Sequence, residues 1–141
     1  MEPTATSLGE LFRQIAFISA VLGGFSFSFL SVLLNAEREK RILDWSAGFS
    51  IVAAACFVVS TFAATSGAIY LAAQSEVITG TLPRPLAAIY NPMIFAFVVG
   101  VFGLILSLGL SGWMRSKAMG IVSSVTAAFA LIAAIYIVIL F

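Results

Sequence analysis

Gln14 to Ala36 reads QIAFISAVLGGFSFSFLSVLLNA, a run with no charged side chain, and its length decides the fold class. A helix needs about 20 mostly apolar residues to cross a hydrocarbon core about 30 Å thick. This run is long enough to cross once, with residues left over for the interface.

Three further uncharged tracts follow, 45–75, 85–114 and 118–141, and the charged residues fall between or before them. The chain is 62% hydrophobic and 9% charged, with a mean hydropathy of +1.15. A soluble domain carries about 25% charge. The expectation is an all-α integral membrane protein forming a single domain over residues 1–141. It would have four transmembrane helices, roughly 8–36, 45–73, 92–113 and 118–141, joined by short linkers and without a soluble domain.

Met1 to Gly9 lacks the basic n-region of a signal peptide, and the first apolar tract exceeds a usual h-region, so helix 1 is expected to stay attached. The lone Cys56 falls in mid-helix and has no intramolecular partner, so it reads as a small buried hydrophobe. Lys and Arg near helix ends set orientation, because basic loops are retained in the cytoplasm. Arg13 and Arg84 would lie on one face, and Arg38, Lys40, Arg41, Arg115 and Lys117 on the other. That bias places both termini outside a plasma (inner) membrane.

Helix boundaries are readable from capping chemistry. Ser7-Leu8-Gly9-Glu10 matches a capping box and predicts a start at Leu8. Glu37 and Arg41 form an i,i+4 pair that would project helix 1 beyond the bilayer. Asp44 suits the N-cap of helix 2. Gly80, Pro83 and Pro85 break helix, and Asn91-Pro92 predicts the start of helix 3 by the proline-at-N1 rule. Trp45, Tyr70, Tyr90 and Trp113 sit near tract ends, as headgroup-level anchors do.

The spacing of small residues carries the packing information, because helices in lipid associate through close backbone approach. Helix 1 carries Ala16, Ala20, Gly24, Ser28, Ser31 and Asn35 at intervals of three or four. Helix 2 carries Ser46, Ser50, Ala54, Thr61 and Thr65. Helix 3 carries Ala96, Gly100, Gly103, Ser107 and Ser111, and helix 4 adds Gly120, Ser124 and Ala127. In helices 2 to 4 these stripes read as bundle seams. Helix 1 has more small and polar residues than one seam needs, so it would have two working surfaces. One would pack within the subunit. The other would face copies of itself around an axis, giving a narrow pore lined by Ala20, Gly24, Phe25, Ser28, Ser31, Val32 and Asn35. Gly24 and Gly103 would be the close contacts on which assembly depends. The alternative is that helix 1 faces lipid.

Ser19-Ala20-Val21-Leu22-Gly23-Gly24-Phe25 resembles the small, apolar Gly-Phe stretch of the pore helix in Orai-type calcium channels, whose subunits also have four helices arranged around helix 1. The resemblance implies that Gly24, Phe25, Ser28 and Val32 face a pore. The family's acidic selectivity ring has no counterpart, because Val32 takes that position, and its basic inner section would fall at Phe17. Calcium selectivity is therefore not implied.

Length and termini-out orientation are also similar to those of the four-helix glutathione-transferase and eicosanoid membrane enzymes. That family places charged and amide residues within its helices. Here no ionisable group sits at membrane depth and the chain has no His, so acid–base catalysis and ion-coupled transport lack candidates. No cofactor or metal site is expected, and no nucleic acid, since no large basic patch exists.

Two classes of function lead, with a small membrane enzyme similar to the glutathione-transferase family as a remote third. One is a homo-oligomeric channel or membrane-permeabilising pore. The other is a non-conducting structural or regulatory subunit of a larger membrane complex. The partners expected are membrane lipid, further copies of the chain, and a signalling partner in the membrane or cytoplasm. Arg38, Lys40, Arg41, Arg115 and Lys117 are the linker residues that would meet such a partner or an anionic ligand.

Overall fold

The computed structural model describes residues 5–35, 41–73 and 84–140. All four elements are helices: α1 (Ala5–Leu34), α2 (Arg41–Ala73), α3 (Arg84–Arg115) and α4 (Lys117–Leu140). Three stretches are long and apolar enough to cross a membrane, Ser7–Leu34, Leu43–Ala73 and Arg84–Trp113. The described apolar run of α4, Lys117–Ala133, is shorter.

Several boundaries differ from those read in the sequence. α1 begins at Ala5, so Ser7 lies inside the first turn and not at the N-cap. α2 begins at Arg41, which puts Asp44 in the first turn, where its carboxylate faces the positive end of the helix dipole. α3 begins at Arg84, not at 92, and Pro92 lies within the helix. The proline-first signal belongs to Pro85, which sits in the first turn, where no N–H is required. Residues 36–40 lie outside the described residues, and with them most of the Glu37–Arg41 pair, Arg38 and Lys40.

α3 and α4 are separated by Ser116 alone. The Met119 N–H donates to Ser116 Oγ at 3.2 Å, and the Gly120 N–H donates to the Ser116 carbonyl at 2.9 Å. Ser116 is therefore the N-cap of α4. Across this corner Trp113 stacks onto Gly120, where a Cβ would clash with its indole. The indole Nε1–H donates to Ser124 Oγ at 2.8 Å.

Each helix packs on its neighbours in sequence: α1 on α2, α2 on α3, and α3 on α4. No other pair shares an extended seam among the described residues. The buried stripe of α2 runs Ser46, Ser50, Ala53, Phe57, Ser60, Ala64, Gly67 and Leu71. Its alternating steps of four and three are those of a heptad seam, which keeps one face toward a partner helix over many turns. α3 answers with Met93, Ala96, Gly100, Gly103 and Ser107, and α1 with Phe12, Ser19, Gly23, Ser26 and Leu33.

Large and small residues interlock along these seams. Phe57 lies between Gly23 of α1 and Gly100 of α3, its ring 3.0 Å from where a Cβ on Gly100 would stand. Phe12 covers Gly67 and meets Tyr90 edge-on at 6.2 Å between centroids. It joins Ala64, Leu71, Leu86 and Met93 in a core shared by α1, α2 and α3.

The polarity of the protein is inverted relative to a soluble bundle. Ser19, Ser26, Ser46, Ser50, Ser60 and Ser107 are fully or almost fully buried, while Phe17, Phe62, Phe95 and Phe129 are each at least 70% exposed. In water this arrangement would leave large apolar surface without cover.

Candidate functional site

The inward hydroxyls pair across the seams. Ser19 Oγ donates to Ser60 Oγ at 3.1 Å, and Ser50 Oγ donates to the Ser26 carbonyl at 3.0 Å, joining α1 to α2. Ser46 Oγ donates to the Ser107 carbonyl at 2.9 Å, and Ser107 Oγ donates back to the Ser46 carbonyl at 2.7 Å, joining α2 to α3. Ser123 Oγ of α4 donates to the Leu108 carbonyl at 2.7 Å. Among the described residues no buried side-chain nitrogen or oxygen lacks a partner.

Of the packing candidates, Ala96, Gly100, Gly103, Ser107, Ser46 and Ser50 are buried in the α2–α3 and α1–α2 seams, and Ser111 is half-buried. Gly103 stands 3.3 Å, measured from an ideal Cβ, from Ala53 Cβ and the Phe49 carbonyl oxygen. The close approach it permits is thus within the subunit, not between subunits. Thr61 and Thr65 fall off the α2 stripe. Thr61 Oγ1 donates to the Phe57 carbonyl and Thr65 Oγ1 to the Thr61 carbonyl, each at 2.8 Å. The seam instead uses Phe57, Ser60, Ala64 and Gly67, which a 4-3-4-3 count from Ser46 would have found.

The candidates on α1 occupy the opposite face. Ala20, Gly24, Phe25, Ser28, Ser31, Val32 and Asn35 are all exposed, and an ideal Cβ on Gly24 meets nothing within 4 Å. At about 100° per residue this set lies roughly diametrically across α1 from Phe12, Ser19, Gly23 and Ser26. Their polar groups are partly consumed within the helix. Ser28 Oγ donates to the Gly24 carbonyl at 3.0 Å, and Asn35 Nδ2 donates to the Ser31 carbonyl at 3.0 Å. Phe25 stacks parallel on Phe29 at 6.5 Å, leaving half of its own surface exposed. The result is a weakly polar face on a helix at the edge of the row, able to meet water, lipid or another helix.

Of the linker residues, Lys117 is exposed at the start of α4. Arg41 and Arg115 lie at helix ends. No group of three His, Cys, Asp or Glu that could hold a metal ion occurs among the described residues. Cys56 is half-buried and free. Compared with known proteins, the chain matches no family model, no curated protein and no solved structure.

Proposed function

We propose that this chain is an integral membrane protein that assembles with copies of itself around α1 and forms a narrow ion-conducting pore. Lipid as the surrounding solvent is supported by the buried serines and exposed phenylalanines, since hydroxyls seek one another where no water competes and phenylalanine faces chains as apolar as itself. In this reading α4 spans as well. The Lys and Arg balance supports an orientation with both termini outside, and the plasma membrane is part of the same reading.

The observation that carries the pore reading is the outer face of α1. It gathers Gly24, Ser28, Ser31 and Asn35, with Phe25 and Val32 beside them, on the free side of an edge helix. One helix per subunit around a closed axis turns such a face into a lining. In this reading Phe25, one turn from Ser28, would form an apolar constriction that gates by dewetting. Chemical cross-linking in native membranes tests the assembly: a ladder ending at a fixed subunit number is expected, and a strictly monomeric band contradicts it.

The second reading, a non-conducting subunit of a larger complex, is favoured by one detail. The Ser28 hydroxyl and one N–H of the Asn35 amide are already bonded to their own helix, so this face has few donors left to satisfy when it docks onto another protein.

A further inference from the structure

We propose that the α1–α2 seam is a binding groove for one glycerophospholipid, its phosphate held by Arg13 and an acyl chain laid along the small residues of α1. The proposal rests on the membrane placement above, and at Ala20 and Gly24 the groove borders the α1 face assigned there to the pore.

Two clefts lie along this seam. One, of about 300 Å³, is lined by Arg13, Ala16, Thr65, Ala68, Ile69 and Ala72. The second, of about 230 Å³, lies further along the same helices and includes Ala20, Gly23, Gly24, Phe27, Thr61 and Phe62. On the α1 wheel Arg13, Ala16, Ala20, Gly24 and Phe27 share one flank. From Arg13 to Phe27 is about 21 Å of helix at 1.5 Å per residue. That exceeds the roughly 15 Å hydrocarbon depth of one leaflet.

The walls suit an acyl chain. Both threonines spend their hydroxyls on α2 carbonyls, leaving no free donor for the groove. Beside Arg13, Ser19 and Phe27, the α1 wall is made of Ala and Gly, which opens a cleft without a void in the packed core behind it. A methylene chain fits clefts of this volume.

Charge complementarity selects the headgroup. Arg13 is exposed, and among the described residues it has no hydrogen-bond or ion-pair partner. It is adjacent in sequence to Phe12, whose ring meets that of Tyr90, so it stands at the level of an aromatic anchor. A guanidinium there is matched by a phosphate, which it can grip with two parallel N–H donors.

The test is native mass spectrometry of the full chain, extracted from membranes in mild detergent and titrated with phosphatidylglycerol. The wild type should hold one lipid per subunit. Arg13→Gln should lower the bound fraction at limiting lipid about tenfold, the loss expected for a charge-assisted contact. Ala72→Leu, which fills the first cleft from an exposed position on α2, should also release lipid, while Ile18→Ala on the other flank of α1 should not. Inorganic phosphate alone should give no adduct. Equal retention by Arg13→Gln, or a membrane-embedded protein with no lipid adduct, overturns the groove and leaves the membrane placement standing. A second copy of the chain displaced by Ala72→Leu would make the occupant protein and overturn the lipid proposal. Absence of the chain from the membrane fraction overturns both.

Discussion

Gly67 lies beneath the Phe12 ring so closely that a Cβ at Gly67 would overlap the ring edge. The contact ties the start of α1 to the end of α2 and seats Phe12 in the core with Leu71 and Met93. Gly67→Ala should therefore destabilise the subunit by about 1–3 kcal/mol, the usual cost of overpacking. Phe12→Leu in the same chain should recover part of that loss. Unfolding in detergent, followed by helical circular dichroism, measures both.

The Ser46 and Ser107 hydroxyls each donate to the other's carbonyl, so the pair acts as a unit. A double-mutant cycle with Ser46→Ala and Ser107→Ala should give a coupling of about 0.6 kcal/mol and not above about 1.7 kcal/mol, the range for interhelical hydrogen bonds in lipid. Additive single effects would mean that the two bonds act independently.

Gly24 and Gly103 separate assembly from folding. Gly103→Leu should disrupt the subunit itself, because Ala53 and the Phe49 carbonyl already occupy the space. A Cβ added at Gly24 meets nothing within 4 Å and the position is exposed, so Gly24→Leu should leave subunit stability within about 0.5 kcal/mol, as for substitutions away from packed features. It should nonetheless abolish the cross-linking ladder, which reports on contacts between copies.

Orientation is testable at two exposed serines at opposite ends. In a Cys56→Ala background, a Cys at Ser7 should react with an impermeant thiol reagent from outside. A Cys at Ser116 should react only after permeabilisation. The reverse pattern would invert the topology drawn from the Lys and Arg count.

Hydropathy alone made the helix count legible, because four uncharged tracts separated by charge leave few other readings. Boundaries were less legible. Pro92 is a strong breaker signal, but a helix already running from Arg84 carries through it, and Pro85 had the better claim to the first turn. The α2 seam was legible as far as Ala54, which is buried. Beyond it, following small residues alone led to Thr61 and Thr65, whereas the heptad count passes through Phe57. A large ring belongs in the seam because Gly23 and Gly100 make room for it on both sides. That reciprocity joins three helices and cannot be read from any one of them. The outer face of α1 was legible as a set, since its residues share one side of a single helix.

The most direct test of the central claim is ion flux through purified protein in liposomes, comparing the wild type with Phe25→Ser and Ser28→Leu. A pore around α1 predicts measurable flux for the wild type. It also predicts a clear increase when the Phe25 constriction is made small and wettable, and a decrease when Ser28 is made bulky, with all three chains equally folded. Oligomeric wild-type protein that passes no ions, with neither substitution altering flux, would contradict the pore and leave α1 as a docking surface.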